Sequence, residues 1–172
     1  MTENIVAVCT SDKKGIQKTP VESIVLREDH GIVGDAHAGG GDRQVSLLAE
    51  ESVDKMREKG LALGAGAFGE NIVTRGIALT ALPVGTRLQL GDTLLEVSRI
   101  GKTCHTRCAI YYQAGDCVMP KEGIFARVVE GGSVKAGDPI KGEGSCSDWE
   151  PRKCSSFWPW CSLFLAPASF PR

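Results

Sequence analysis

Pro83-Val-Gly-Thr-Arg-Leu-Gln-Leu-Gly-Asp92 and its continuation Thr93-Leu-Leu-Glu-Val-Ser-Arg-Ile100 decide the fold class. Residues 87–90 and 94–100 are apolar runs bounded by glycine, which suits strands between turns. The second run loosely alternates sides, as a half-buried strand does. Ser133-Val-Lys-Ala-Gly-Asp-Pro-Ile140 repeats the Val…Gly-Asp form, and turns that deliver strands in this way recur in closed β-barrels. Working outward, residues 5–8, 23–26, 44–48, 71–73 and 124–129 give five more short apolar runs. One segment, residues 49–60, carries acids early, bases late and a glycine at its end, the pattern of a helix with its dipole matched and its C-cap supplied. The expectation is a mainly β protein with one or two helices.

Length and charge narrow the function classes. The chain has 172 residues, room for one domain with a real core. A net charge of -1 gives no sign of a nucleic-acid or membrane partner. The N-terminus lacks a basic region followed by an apolar one, so no secretory signal is expected. Seven cysteines, an odd number without a disulfide-framework spacing, point to reduced thiols in the cytoplasm. Composition changes after Ile140: all three tryptophans (Trp149, Trp158, Trp160) lie beyond it, with three cysteines and four prolines. The expected division is a body over residues 1–141 and a poorly ordered extension over 142–172 with no assigned function.

Gly101-Lys-Thr-Cys-His-Thr-Arg-Cys108, followed by Gly115-Asp-Cys117, concentrates the reactive residue types. A thiolate is the species that attacks sulfur and binds soft metals, and neighbouring cations favour it. Cys104, His105, Cys108 and Cys117 have the chemistry of zinc ligands, with His37 in reserve. A single C-x₃-C with a distant third thiol is nevertheless unlike the paired knuckles of structural zinc. Cys104 and Cys117 read equally as small buried hydrophobes. Cys108 is the stronger nucleophile candidate, because Arg107 precedes it and Lys102 and His105 are near in sequence.

Two further segments carry candidates. Residues 31–41 hold five glycines around Asp35 and His37, with Arg43 close behind. Such a loop either brings backbone N–H groups to an anion or is simply a turn. His37 is a candidate ligand or base, and Asp35 a candidate turn former. In Phe68-Gly-Glu-Asn-Ile72, Glu70 and Asn71 match the donors and acceptors of a polar ligand such as a pterin edge. The competing reading is a turn in which Asn71 satisfies local backbone. No serine-hydrolase elbow is present.

In their order and spacing these motifs resemble a MOSC domain, the module at the C-terminus of molybdenum cofactor sulfurases and in small stand-alone bacterial proteins. The resemblance covers roughly residues 5–140. It rests on Val33-Gly-Asp-Ala-His37, Arg43-Gln-Val-Ser-Leu-Leu48, Phe68-Gly-Glu-Asn-Ile72, the Gly101–Cys108 stretch, Gly115-Asp-Cys117 and Gly123-Ile-Phe-Ala-Arg127. It implies a small β-barrel with one or two peripheral helices. It also implies binding of the molybdenum cofactor (molybdopterin), or carriage of sulfur to a metal–sulfur centre as a persulfide on one cysteine, with sulfurtransferase-like activity left open. Cys108 best matches that cysteine, with Cys104 its rival, and Cys108 is also the candidate molybdenum ligand. Arg43, Lys102 and Arg107 are the expected anion contacts, joined by His37, Glu70 and Asn71. The implied partners are a cysteine desulfurase as sulfur donor and molybdoenzymes or cofactor-biosynthesis proteins as acceptors. Pyridoxal phosphate belongs only to that partner desulfurase. The alternatives are a passive molybdenum- or zinc-binding module without turnover, or a structural zinc domain.

Overall fold

The computed structural model describes residues 3–102 and 109–143. In chain order the strands are β1 (Asn4–Thr10), β2 (Thr19–Val21), β3 (Ser23–Arg27), β4 (Gly31–Ile32), β5 (Val45–Ala49), β6 (Ile72–Arg75), β7 (Arg87–Leu90), β8 (Thr93–Ile100), β9 (Ile124–Glu130), β10 (Gly132–Lys135) and β11 (Ile140–Glu143). The helices are α1 (Glu50–Arg57), α2 (Ala109–Ala114) and α3 (Met119–Glu122), with one 3₁₀ turn at Leu79–Ala81. The main sheet has the order β11-β7-β8-β9-β5-β6-β1-β2, and a second sheet has the order β10-β3-β4.

Every pairing in the main sheet is antiparallel except that of β5 with β6. Register shifts between Leu94 and Leu95, between Val97 and Arg99, and between Ile5 and Ala7 mark bulges that bend the strands. The ends of the curled sheet meet. The Ile5 N–H donates to the Asp138 carbonyl at 2.9 Å, and the Ile5 carbonyl accepts from the Gly137 N–H at 2.8 Å. The Ile140 N–H reaches the Glu3 carbonyl at 3.2 Å. The result is a small β-barrel whose edges are largely paired, as the resemblance implied.

Alternation along the strands fills the barrel. In β3 only Ile24 and Leu26 are buried, while Ser23, Val25 and Arg27 face solvent. Ile5, Leu47, Ile72, Leu88, Leu95, Ile124 and Ile140 are all fully buried in one cluster. Each such side chain contributes about 1.5–3 kcal/mol on burial. A second apolar cluster sits outside the barrel, where Leu48 of β5 and Phe125 of β9 meet Val53 and Met56 of α1, Ile110 of α2 and Met119 of α3. The predicted helix over residues 49–60 is present, with Glu50 and Glu51 in its first turn and Lys55 and Arg57 in its last. The three described helices are one more than the upper end of the expected one or two, because the six residues of α2 and the four of α3 are too few to show a helical period. No described helix is long and apolar enough to cross a membrane.

Candidate functional site

The glycine-rich loop after β4 folds back so that the Ala36 N–H meets the Ser11 carbonyl at 2.8 Å. This places Asp35 beneath the end of β1, where its side chain is 1% exposed. Its carboxylate collects four donors. Oδ2 accepts from Lys18 Nζ at 2.5 Å, from the Ser11 N–H at 3.1 Å and from Asn71 Nδ2 at 3.1 Å. Oδ1 accepts from the His37 N–H at 2.8 Å. Burial by itself would raise the Asp35 pKa, but the hydrogen bonds from Lys18, His37 and Ser11 outweigh it and hold the carboxyl below its ordinary value.

Lys18 is wholly buried and bridges this carboxylate to His37, with Nζ 3.2 Å from Nδ1. The loop over residues 64–69 fixes its backbone. The Lys18 N–H donates to the Gly66 carbonyl at 2.9 Å, and a Cβ on Gly66 would overlap the Lys18 carbonyl oxygen. Gly66 also has φ +85°, so both space and conformation require glycine there. The His37 pKa is lowered by partial burial first, then by the Lys18 charge, with Lys102 adding to the effect and Asp35 opposing it. At neutral pH the ring is therefore uncharged. The same Nδ1 lies 3.3 Å from Asp35 Oδ1, so it either accepts from the Lys18 ammonium or donates to the carboxylate, according to the tautomer. The His37 side chain is 38% exposed, so the ring has access to solvent.

Glu70 and Asn71 are both buried. Glu70 is fully buried, and its two oxygens accept from the Gly66 N–H at 2.7 Å and the Phe68 N–H at 2.9 Å. Burial raises the Glu70 pKa against the pull of these backbone donors. Asn71 is 1% exposed. Its Nδ2 donates to the Cys9 carbonyl and to Asp35, both at 3.1 Å, and its Oδ1 accepts from Ser46 Oγ at 2.9 Å. Both side chains are committed to fastening loops and strand ends, because the segment turns inward rather than toward solvent. The Asn71 side chain thus ties together segments distant in sequence, its partners Cys9, Asp35 and Ser46 lying 62, 36 and 25 positions away.

Lys102 is exposed at the end of β8, just before the cysteine segment, and its charge is felt at His37. The preceding residue sets that position. The Gly101 N–H donates to the Gly123 carbonyl at 2.7 Å, with φ +74° and no room for a Cβ against the Pro120 carbonyl. Arg43 is exposed, its guanidinium carbon 5.7 Å from the centre of the Phe125 ring. No described contact joins it to the Asp35 cluster. Cys104, His105, Arg107 and Cys108 lie outside the described residues. Cys117 is buried in the outer apolar cluster, in line with its reading as a small hydrophobe. Among the described residues no group of three or more His, Cys, Asp or Glu side chains could hold a metal ion.

Lys18 escaped the sequence reading. In Lys13-Lys-Gly-Ile-Gln-Lys18 it looks like one of several solvated charges, and only the fold buries it. Cys9 was also unassigned. Burial, then the nearby Glu70 charge, push its thiol up to about 12, against the pull of Lys18, so it is inert as a nucleophile.

The family model of the MOSC domain matches residues 34–141. This chain belongs to the MOSC domain family. The family is associated with molybdenum-cofactor function. The MOSC fold agrees with solved structures. YuaD from Bacillus subtilis superposes with a TM-score of 0.68 at 19% identity, over 81% of this chain and 94% of that one. YiiM from Geobacillus stearothermophilus gives 0.62 at 23% identity, over 83% and 75%. YiiM from Escherichia coli gives 0.61 at 24% identity, over 86% and 72%. No curated protein matches the sequence.

Proposed function

We propose that this MOSC protein binds the molybdenum cofactor and carries sulfur to a metal–sulfur centre as a persulfide on Cys108. The reading is supported by the match to the MOSC family model over residues 34–141, beside which the solvent-accessible His37 is held by the buried Asp35–Lys18 pair. The donor set suits the group. Lys102 and Arg43 are exposed cations, and arginine and lysine are the side chains that hold phosphate and molybdate oxygens. Arg107 would join them. The cofactor, when bound, would supply molybdenum as the acceptor of sulfur; direct ligation of molybdenum by the Cys108 thiolate is the alternative role.

In the loading step, the Cys108 thiolate attacks the outer sulfur of a persulfide presented by a cysteine desulfurase. A sulfur–sulfur bond forms on Cys108, the donor's sulfur–sulfur bond breaks, and the donor leaves as its thiolate. No outside oxidant is needed, and pyridoxal phosphate stays on the desulfurase. In this reading His37, whose side chain has access to solvent, would take up the thiol proton.

The test is intact-mass analysis after incubation with a cysteine desulfurase and cysteine. Wild type should gain one sulfur and Cys108→Ser should not. A gain lost only in Cys104→Ser would move the role to Cys104. No gain in any form would overturn sulfur carriage and leave the cysteines as ligands of a binding module without turnover.

A further inference from the structure

The Lys18 side chain is 0% exposed, so solvent supplies its ammonium with no acceptor. An ammonium carries three N–H donors and accepts nothing, and a buried donor left unpaired is costly. Among the described residues two acceptors lie within hydrogen-bond distance of Nζ, Asp35 Oδ2 at 2.5 Å and His37 Nδ1 at 3.2 Å. Oδ2 is already shared with the Ser11 N–H and with Asn71 Nδ2. The lone pair of Nδ1 is therefore the acceptor left for a second ammonium N–H. With its hydrogen on Nδ1, the ring would set one donor against another, and two of the three ammonium N–H groups would be buried without an acceptor.

Asp35 Oδ1 competes for the same nitrogen from 3.3 Å, but it already accepts from the His37 N–H at 2.8 Å. An oxygen with one bond and a spare lone pair is a smaller deficit than an orphaned buried donor. The balance places the ring hydrogen on Nε2. That nitrogen has no hydrogen-bond partner among the described residues, and the side chain is 38% exposed. Nε2 is thus the polar atom of the ring left for a ligand. Three charges bear on the ring: Lys18 and Lys102 oppose a positive imidazolium, and Asp35 favours it.

We propose that Lys18 is the positioning residue of His37: its buried ammonium holds Nδ1 as an acceptor, so the resting ring presents a neutral Nε2–H donor, and proton uptake moves the Nδ1 bond from Lys18 to Asp35 Oδ1. The role rests on the sulfur-carrying reading, in which the acceptor of the Nε2–H bond is the sulfur anion of Cys108. When the ring takes up the thiol proton it carries hydrogen on both nitrogens, and Oδ1 accepts the inner one. Release of that proton to water restores the bond from Lys18. Lys18 thereby sets whether His37 meets its ligand as a donor or as a base.

The experiment is long-range proton–nitrogen NMR of the ¹⁵N-labelled full chain at pH 8, where the His37 ring is neutral. Its signals are assigned by their loss in His37→Gln. Nε2 should resonate as a protonated ring nitrogen and Nδ1 as an unprotonated one. A coupling across the hydrogen bond should join Nδ1 to the Lys18 ammonium nitrogen. In Lys18→Met the described partner left to Nδ1 is Asp35 Oδ1, so the ring hydrogen should move to Nδ1. The ratio of the two tautomers should change by about tenfold or more, the scale of one hydrogen bond to a charged group. A lysine that only supported the fold would leave the tautomer as it is. Hydrogen on Nδ1 in the wild type, no coupling to Lys18, or an unchanged tautomer in Lys18→Met overturns the proposal. The wild-type spectrum decides the first two whether or not Lys18→Met folds. No sulfur donor is present in these spectra. A failure to load sulfur therefore counts against Cys108 alone, and a contrary ring spectrum against Lys18 alone.

Discussion

Replacing Lys18 by methionine tests the physical basis of the site. The ammonium is 0% exposed and the Asp35 carboxylate 1%, so the change leaves a buried carboxylate without its counter-ion. Removing one partner of a buried pair typically costs about 3–5 kcal/mol. Asp35 keeps the Ser11 N–H, the His37 N–H and Asn71 Nδ2 as donors. The expected cost is therefore at the lower end, about 3 kcal/mol, or roughly 6–12 °C in Tm for a chain of this length. Urea unfolding at pH 7 measures the first figure. The same substitution removes a charge that lowers the His37 pKa and leaves the Asp35 charge that raises it, so the His37 titration should move upward by NMR. The double variant Lys18→Met/Asp35→Asn should recover part of the loss, because no unpaired charge remains buried. A cost under about 1 kcal/mol would mean that the pair is not desolvated as described. An unmoved His37 titration would show that Lys18 and His37 are not coupled.

Gly66→Ala should destabilise by more than about 2 kcal/mol in the same assay, since φ +85° and the contact with the Lys18 carbonyl oppose any Cβ. Stability should fall on acidification from pH 8 to 5.5. His37 has a lowered folded pKa, so below the ordinary imidazole value of about 6.5 the unfolded chain binds more protons. His37→Gln should flatten that fall. Asp35, also lowered, adds a second loss below about pH 4 as its carboxylate is protonated. Glu70, with a raised pKa, works in the opposite sense as pH rises from the ordinary carboxylate value, and Glu70→Gln should remove that contribution. Under native conditions at pH 8, iodoacetamide should spare Cys9 and Cys117, which are buried, and should label both once the chain is unfolded. Labelling of native Cys9 at the unfolded rate would contradict its burial and raised pKa.

The barrel was legible because its strands announce themselves locally. The Gly-Asp turns and period-two alternation of residues 87–100 mark β7 and β8, and charge order marks α1. β2, β4, α2 and α3 were not legible, because elements of two to six residues are stabilised by the neighbours they pack on rather than by their own pattern. Likewise, the motif order pointed to the MOSC family, whose model matches residues 34–141. What the sequence could not decide was which polar side chains are desolvated. Lys18 and Asp35 are 17 positions apart and become an ion pair only when β1, the glycine loop and residues 64–69 converge. Nor did the sequence show that Glu70 and Asn71 are buried, with side chains bonded to the Gly66 and Phe68 N–H groups and to the Cys9 carbonyl. Burial is a property of the assembled barrel, and it alone separates a charge in water from a charge that holds a site together.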